Sequence, residues 1–323
     1  MKLAVDGINL LADTRGMGRY VRRALLRLNA RPDIELTLLV RDPKNAAAYR
    51  AILGESVSVE PLARAAKRKR FDVVWYPWNS IRFPAKAPSL VTINDDFAFR
   101  FPTSGMVARR KEQRPIQAAV KDATRIATIS NWSRAQLSER FRIDPETIAL
   151  LPLAPDPFFT IAREAPTSEK PFVLAVGSSE KRKNIDFLRQ IVMSAFPNDE
   201  LEFRVVGSDG EVADDMRLRH LYRTATIVAV PSLAEGYGLV AAEAQACGAA
   251  VIAASTSAIG EATGDAAVLL DPAYDEAWID ALRAIASDEP LRAKLGARAA
   301  ARWAFTSRDR LTPALYDLFH DLA

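Results

Sequence analysis

Two series of short apolar runs, each separated by charged or amphipathic stretches, constrain this chain more than any other feature of its sequence. In the first series Leu3–Val5, Leu36–Val40, Val73–Tyr76, Leu90–Ile93 and Arg125–Ile129 read as strands; in the second Phe172–Val176, Phe203–Val206, Ile227–Val230, Ala250–Ala253 and Val268–Leu270 do. Strands alternating with helical stretches predict α/β structure with parallel sheets. A chain of 323 residues exceeds what one core usually serves, so each series is assigned its own domain. Pro152, Pro155, Pro157 and Pro166 lie between the series and put a linker at about residues 155–170. The expected division is 1–160, 161–305 and a terminal segment 306–323. The fold class is two Rossmann-like, doubly wound domains facing across a cleft. Ligands of open α/β sheets bind at the carboxyl ends of the strands. The stretch Leu291–Leu322 reads as helices broken at Thr306–Ser307 and at Pro313.

Several classes of protein are excluded early. Cys247 is the single cysteine, and with only His220 and His320 it makes neither a disulfide nor a zinc site at any usual spacing. No metal and no cofactor are expected. Asp6 and Asp13 interrupt the apolar start too early for a signal peptide, and no run approaches the roughly 18 apolar residues of a membrane span. The expected location is the cytoplasm, at most peripheral to the inner face of the membrane. Charge is divided unevenly: residues 1–160 carry 27 lysines and arginines against 16 acids, and residues 161–323 carry 17 against 24. A basic half points to an anionic partner, or only to a solvated surface. Nucleic acid is not expected, because no basic-aromatic single-strand motif or reading helix accompanies the charge.

The chemistry concentrates in the second half. The strand Ile227–Val230 leads through Pro231-Ser232-Leu233-Ala234-Glu235-Gly236-Tyr237-Gly238 into a predicted helix, Leu239–Ala246, which Gly248 terminates. Gly236 and Gly238 let backbone approach a ligand, and the free N–H groups of the helix start suit a phosphate. Glu235 lies in the loop, whereas Glu243 lies within an alanine-rich helix, where it can accept from two vicinal hydroxyls such as those of a ribose. Arg182 and Lys183 follow a strand and the Gly177-Ser178-Ser179 turn; the Lys-Arg-Lys run is a cation pair aimed at a ligand or a solvated helix start.

The passage Tyr222–Pro272, YRTATIVAVPSLAEGYGLVAAEAQACGAAVIAASTSAIGEATGDAAVLLDP, resembles the donor-site signature of the family 4 retaining glycosyltransferases, which have the glycosyltransferase B fold. The resemblance extends to GMGRY (Gly16–Tyr20), TINDDFAFRFP (Thr92–Pro102), ISNWSR (Ile129–Arg134) and VGSSEKRKN (Val176–Asn184). It implies that Glu235 contacts the donor sugar and Glu243 the ribose. By the same resemblance Gly236, Tyr237, Gly238 and Leu239 meet the diphosphate and sugar, and Lys183, beside Arg182, neutralises the diphosphate. Gly16 and Gly18 match the loop that approaches the donor's phosphates from the first domain, where Arg19 can add charge. It also implies that the last helix crosses back to the first domain. The VGSSEKRKN string is most similar to relatives using GDP-mannose.

Two positions depart from the family, the milder being Ser178, which stands where the family has an arginine or threonine after the glycine. Asn94-Asp95 stands where the family has a histidine followed by an aspartate, and the histidine sits beside the donor sugar. An amide can donate or accept a hydrogen bond there, but it cannot titrate. The expected catalytic set is therefore Asn94, Asp95, Lys183 and Glu235, with no enzyme general base. The expected function is transfer of a hexose, mannose foremost, in polysaccharide or lipopolysaccharide biosynthesis. The alternative is an impaired sugar-nucleotide-binding module. Asp95 and Asp96 read as turn and cap residues rather than a metal pair. Two basic clusters suit a glycan or polyprenyl-diphosphate-linked acceptor at an anionic membrane surface: Arg64 with Lys67–Arg70, and Arg109–Lys111 with Arg114. Trp75 is expected in the core, while Trp78 and Phe83 are open to packing or to stacking on an acceptor sugar.

Overall fold

The computed structural model of the chain describes residues 1–13, 16–62, 71–161, 170–207, 211–306 and 309–323. The basic cluster at 64–70 and residues 162–169, half of the expected linker, lie outside these residues. Residues Met1–Leu153 and Asp309–Ala323 form one compact unit and Ala154–Arg308 a second.

The first unit runs β1 (Lys2–Asp6), α1 (Gly16–Asn29), β2 (Glu35–Val40), α2 (Ala46–Leu53), β3 (Ser58–Pro61), β4 (Val73–Tyr76), β5 (Ser89–Thr92), α3 (Phe97–Arg100), α4 (Met106–Asp122), β6 (Arg125–Thr128), α5 (Asn131–Phe141) and β7 (Ile148–Leu150). The second runs β8 (Phe172–Val176), α6 (Ile185–Ala195), β9 (Glu202–Val206), α7 (Asp215–Thr224), β10 (Ile227–Val230), α8 (Leu239–Ala246), β11 (Val251–Ala254), α9 (Ile259–Thr263), β12 (Val268–Leu270), α10 (Asp275–Ser287) and α11 (Glu289–Thr306). A last helix, α12 (Leu311–Leu322), returns to the first unit and packs on α1 and β5.

Both sheets are parallel throughout, with orders β3-β2-β1-β4-β5-β6-β7 and β12-β11-β10-β8-β9. Central strands such as β4 and β10 are buried at every residue, which is why they read as unbroken apolar runs rather than as alternating ones. Each sheet reverses its direction of winding once, between β1 and β4 in the first unit and between β8 and β10 in the second. The expected doubly wound class is met in both.

Several local expectations are corrected. Two edge strands are not among those read from the sequence: β3, SVEP, has no apolar run, and β7, IAL, is only three residues long. Pro313 does not break the last helix: it is the third residue of α12, where a proline's missing N–H deprives no helical carbonyl. Trp78 and Phe83 are not stacking platforms. Trp78 is buried and donates its Nε1–H to the Asp6 carbonyl at 2.7 Å, and the Phe83 ring packs 5.2 Å from that of Tyr76. Trp75 is buried as expected, donating to Thr92 Oγ1 at 2.9 Å with its ring 6.0 Å from Phe319 of α12.

Asp6, the last residue of β1, is an exception in this apolar interior. It is 1% exposed; its Oδ1 accepts from the Ile8 N–H at 3.0 Å, and its Oδ2 is buried with no partner among the described residues. Burial pushes its carboxyl up to about 6, against the lowering influence of the Ile8 hydrogen bond and of Arg82 and Arg41. A carboxyl raised in the folded state binds more protons folded than unfolded, so stability falls as pH rises from about 4 to about 6. Thermal unfolding of wild type and Asp6→Asn across pH 4–8 is expected to show the variant gaining up to about 3 kcal/mol relative to wild type above pH 6 and little at pH 4.

Candidate functional site

In the second unit the chain reverses its winding between β8 and β10, and the loops that leave these two neighbouring strands carry the charged residues of interest. The turn after β8 leads through Gly177 and Glu180 into a single 3-10 turn, Lys181–Lys183. Asn184, in left-handed backbone at φ 55°, then turns the chain into α6. The loop after β10 runs from Pro231 to Gly238, whose φ of 102° suits a residue without Cβ at the start of α8. A backbone hydrogen bond joins the two loops, Leu233 N–H to Arg182 carbonyl at 2.7 Å.

This stitch brings opposite charges together. Lys183 Nζ donates to Glu235 Oε1 at 2.6 Å, and Arg182 Nη1 lies 3.7 Å from Glu235 Oε2. Arg182 also spans to the Ala234 carbonyl at 3.3 Å and to Glu180 Oε2 at 2.8 Å. The Lys183 and Glu235 side chains are each only 13% exposed. Burial by itself would raise the Glu235 carboxyl; the Lys183 charge and hydrogen bond, with Arg182 behind them, outweigh burial and hold it below its ordinary value. Glu235 is held from its backbone as well, its N–H donating to Ser257 Oγ at 3.0 Å. Ser257 is left-handed at φ 65° and has no sequence signal in its Thr-Ser-Ala setting.

Behind this group, Gly236 and Gly238 are buried and Tyr237 packs partly on the core. Leu239 opens α8, and Glu243, one turn further on, is 3% exposed with the Tyr222 hydroxyl 3.4 Å from its Oε2. The alanines flanking Glu243 are themselves buried, so this carboxylate is an interior group. Gln245, which sequence reasoning passed over, fixes α8 in place. Its amide donates to the carbonyls of Thr263 and Ala266 at 3.2 and 2.8 Å and accepts from Trp303 Nε1 at 3.0 Å.

The first unit holds the remaining candidates. Gly16 begins α1, and Gly18 is buried where an added Cβ would stand 1.8 Å from the Asp13 carbonyl oxygen. Glycine at 18 is thus demanded by the unit's own packing. Asn94 is 3% exposed, and its amide is hydrogen-bonded inside the unit. Its Oδ1 accepts from the Tyr20 hydroxyl at 2.8 Å and its Nδ2 donates to Asn79 Oδ1 at 2.7 Å. The same Asn79 oxygen accepts from the Asn94 N–H at 2.8 Å. Asn79, left-handed at φ 59°, was not singled out because a lone asparagine after a strand reads as a turn. Asp95 accepts from the Phe97 N–H at 3.1 Å, the turn role expected of it, whereas Asp96, at the N-cap position of α3, makes no side-chain cap bond and instead accepts from Arg140 Nε at 2.8 Å. Among the described residues no group of three or more His, Cys, Asp or Glu could hold a metal ion.

Comparison with known proteins places this geometry. Residues 210–302 match the family model of the glycosyl transferases group 1, a span that contains Glu235 and Glu243. The D-inositol 3-phosphate glycosyltransferase of Xylanimonas cellulosilytica is 49% identical over 90 residues, 27% of this chain and 22% of that protein. The aligned stretch spans about a fifth of that relative's length. Sucrose-phosphate synthase from Thermosynechococcus elongatus superposes with a TM-score of 0.75 at 19% identity, covering 100% of this chain and 99% of that one. HepE of Anabaena, solved with UDP and glucose, gives 0.74 at 13% identity over the whole of both chains. The fold is therefore the glycosyltransferase B fold with its two Rossmann-like domains, and the resemblance to family 4 glycosyltransferases is borne out.

Removing Lys183 would leave the Glu235 carboxylate mostly buried beside the more distant Arg182. Lys183→Ala is expected to lower stability by about 1–3 kcal/mol in urea unfolding at pH 7, less than a fully buried pair would show. Glu235→Gln, which keeps an acceptor for the ammonium, should lose less. Because Glu235 is held below its ordinary 4.5, the pair's contribution is present above that value and lost as pH falls through the lowered one, so wild type and Glu235→Gln should converge in acid.

Proposed function

We propose that this chain, whose residues 210–302 are those of a group 1 glycosyl transferase, is a retaining, metal-independent hexosyltransferase. It takes a hexose, mannose foremost, from a nucleotide diphosphate-sugar and passes it to a glycan or polyprenyl-diphosphate-linked acceptor in polysaccharide or lipopolysaccharide assembly. The observation that carries the reading is the Lys183–Glu235–Arg182 cluster at the point where the second sheet reverses its winding, the place where open α/β sheets bind nucleotides.

When the bond from the anomeric carbon to the diphosphate breaks, positive charge grows on the sugar and negative charge on the departing phosphate. Fixed donors aimed at that phosphate are the largest lever a protein has on such a step. Lys183 and Arg182 supply two cations, and the N–H groups at the start of α8, reached through Gly236, Tyr237, Gly238 and Leu239, supply a dipole. In this arrangement an incoming diphosphate competes with Glu235 for the Lys183 ammonium, and the carboxylate so released is placed to accept from hydroxyls of the donor sugar. Glu243, buried one turn into α8, is the group for the ribose hydroxyls. The proton of the acceptor hydroxyl goes to the leaving phosphate, so no side chain is nominated as general base.

A second reading is favoured by one observation, the interior commitment of Asn94 at the position of the family's histidine. On that reading the chain binds sugar nucleotides without transferring the sugar. Both readings are tested by a thermal-shift and turnover screen of GDP-mannose, UDP-glucose and UDP-N-acetylglucosamine with EDTA present. One donor is expected to stabilise the protein and be slowly hydrolysed, with affinity reduced about 10- to 100-fold in Lys183→Ala and in Glu243→Ala. Stabilisation without turnover, lipid-linked acceptor included, selects the binding module. No stabilisation by any donor overturns the site.

A further inference from the structure

The start of α4 stands clear of the first unit. Residues 103–112 are exposed without interruption; Met106 is 65% and Val107 80% exposed, and Phe101, just ahead of them, 38%. The helix packs only further along, at Ile116 and Ala119. Pro115, lying between, has no N–H to offer the Lys111 carbonyl, so the exposed turns are less firmly joined to the packed ones. Alongside the apolar residues stand Arg109, Arg110, Lys111 and Arg114, and among the described residues none of the four makes an ion pair. The one acid among them, Glu112, accepts from the Thr103 hydroxyl.

Exposed aliphatic side chains beside unpaired cations fit a bilayer interface. The apolar groups enter the boundary between headgroups and acyl chains, and the cations stay with anionic headgroups. A nucleic acid backbone would use the cations and leave Met106 and Val107 in water. We infer that the segment from Phe101 through the first two turns of α4 is a docking surface for an anionic lipid bilayer. Among the described residues no helix is long and apolar enough to cross a membrane, and the inferred contact lies in the plane of the interface. The chain enters this segment from the carboxyl end of β5, the edge that also carries Asn94. Docking therefore brings that edge of the first unit to the lipid surface, where, on the transferase reading, a polyprenyl-linked acceptor is presented. The docking surface itself stands independently of the donor site.

The test is co-sedimentation of the full chain with vesicles of phosphatidylcholine alone or with about one quarter phosphatidylglycerol, at low and at physiological salt. Wild type is expected on the anionic vesicles and not on the neutral ones. Arg109→Glu with Arg110→Glu and Lys111→Glu should weaken binding at least a hundredfold, given about fivefold per cation near the surface. Met106→Ser with Val107→Ser should weaken it about tenfold and leave the remainder fully reversed by salt. Donor-induced thermal shifts, read on the same variants, should match wild type and show that both remain folded. Absence of wild-type binding, equal binding to neutral vesicles, or unchanged binding by either variant overturns the inference. So does tighter binding to duplex DNA that is lost on charge reversal but kept by the serine variant.

Discussion

A backbone hydrogen bond, from the Leu233 N–H to the Arg182 carbonyl, joins the two loops that carry the second unit's charged cluster. Each loop leaves a parallel strand in the same direction, and β8 and β10 are neighbours only because the sheet reverses its winding there. Without that reversal a helix would cover the gap and the loops would not meet. With it, 52 residues of sequence separation collapse into the 2.6 Å contact of Lys183 with Glu235. The electrostatics of the site thus descends from topology: a cation and a carboxylate are drawn into a poorly solvated position where each depends on the other.

The same dependence explains why the charged loops of the second unit were legible in the sequence and the first unit's candidates much less so. A strand, glycine turn and helix in immediate succession have local signals, and Phe172–Val176, Ile227–Val230 and Leu239–Ala246 emerge with the boundaries read from residue type. Gly236 and Gly238 announce a turn, and Glu243 among alanines announces an interior carboxylate. The strands that escaped, Ser58–Pro61 and Ile148–Leu150, lie at sheet edges, where one side of the ladder is unpaired and no apolar run is required.

What sequence could not show was which polar groups would spend their hydrogen bonds on one another. Asn94 is singled out in the sequence only because it stands where the resembled family has a histidine, and nothing near it in sequence shows what it bonds to. Its partners are Tyr20, 74 residues away, and Asn79, held left-handed in a different loop. Trp78 was open to packing or to stacking until its indole N–H found the Asp6 carbonyl, 72 residues away. Residue type specifies what a side chain can bond to; only the packed unit specifies whether the partner is already inside it.

The return of α12 to the first unit bears on the order in which the molecule can be completed as it is made. Trp75, at the centre of the first sheet, has its ring against Phe319, and Arg27 of α1 meets Asp309 at the entry to that helix. A ribosome delivers both of these late partners only after every residue of the second unit has emerged. The first sheet must therefore wait, with an indole face uncovered, while an entire second domain is synthesised and begins to fold. Trp75 and Arg27, made before the second unit, are among the last residues of the first to reach their final environment.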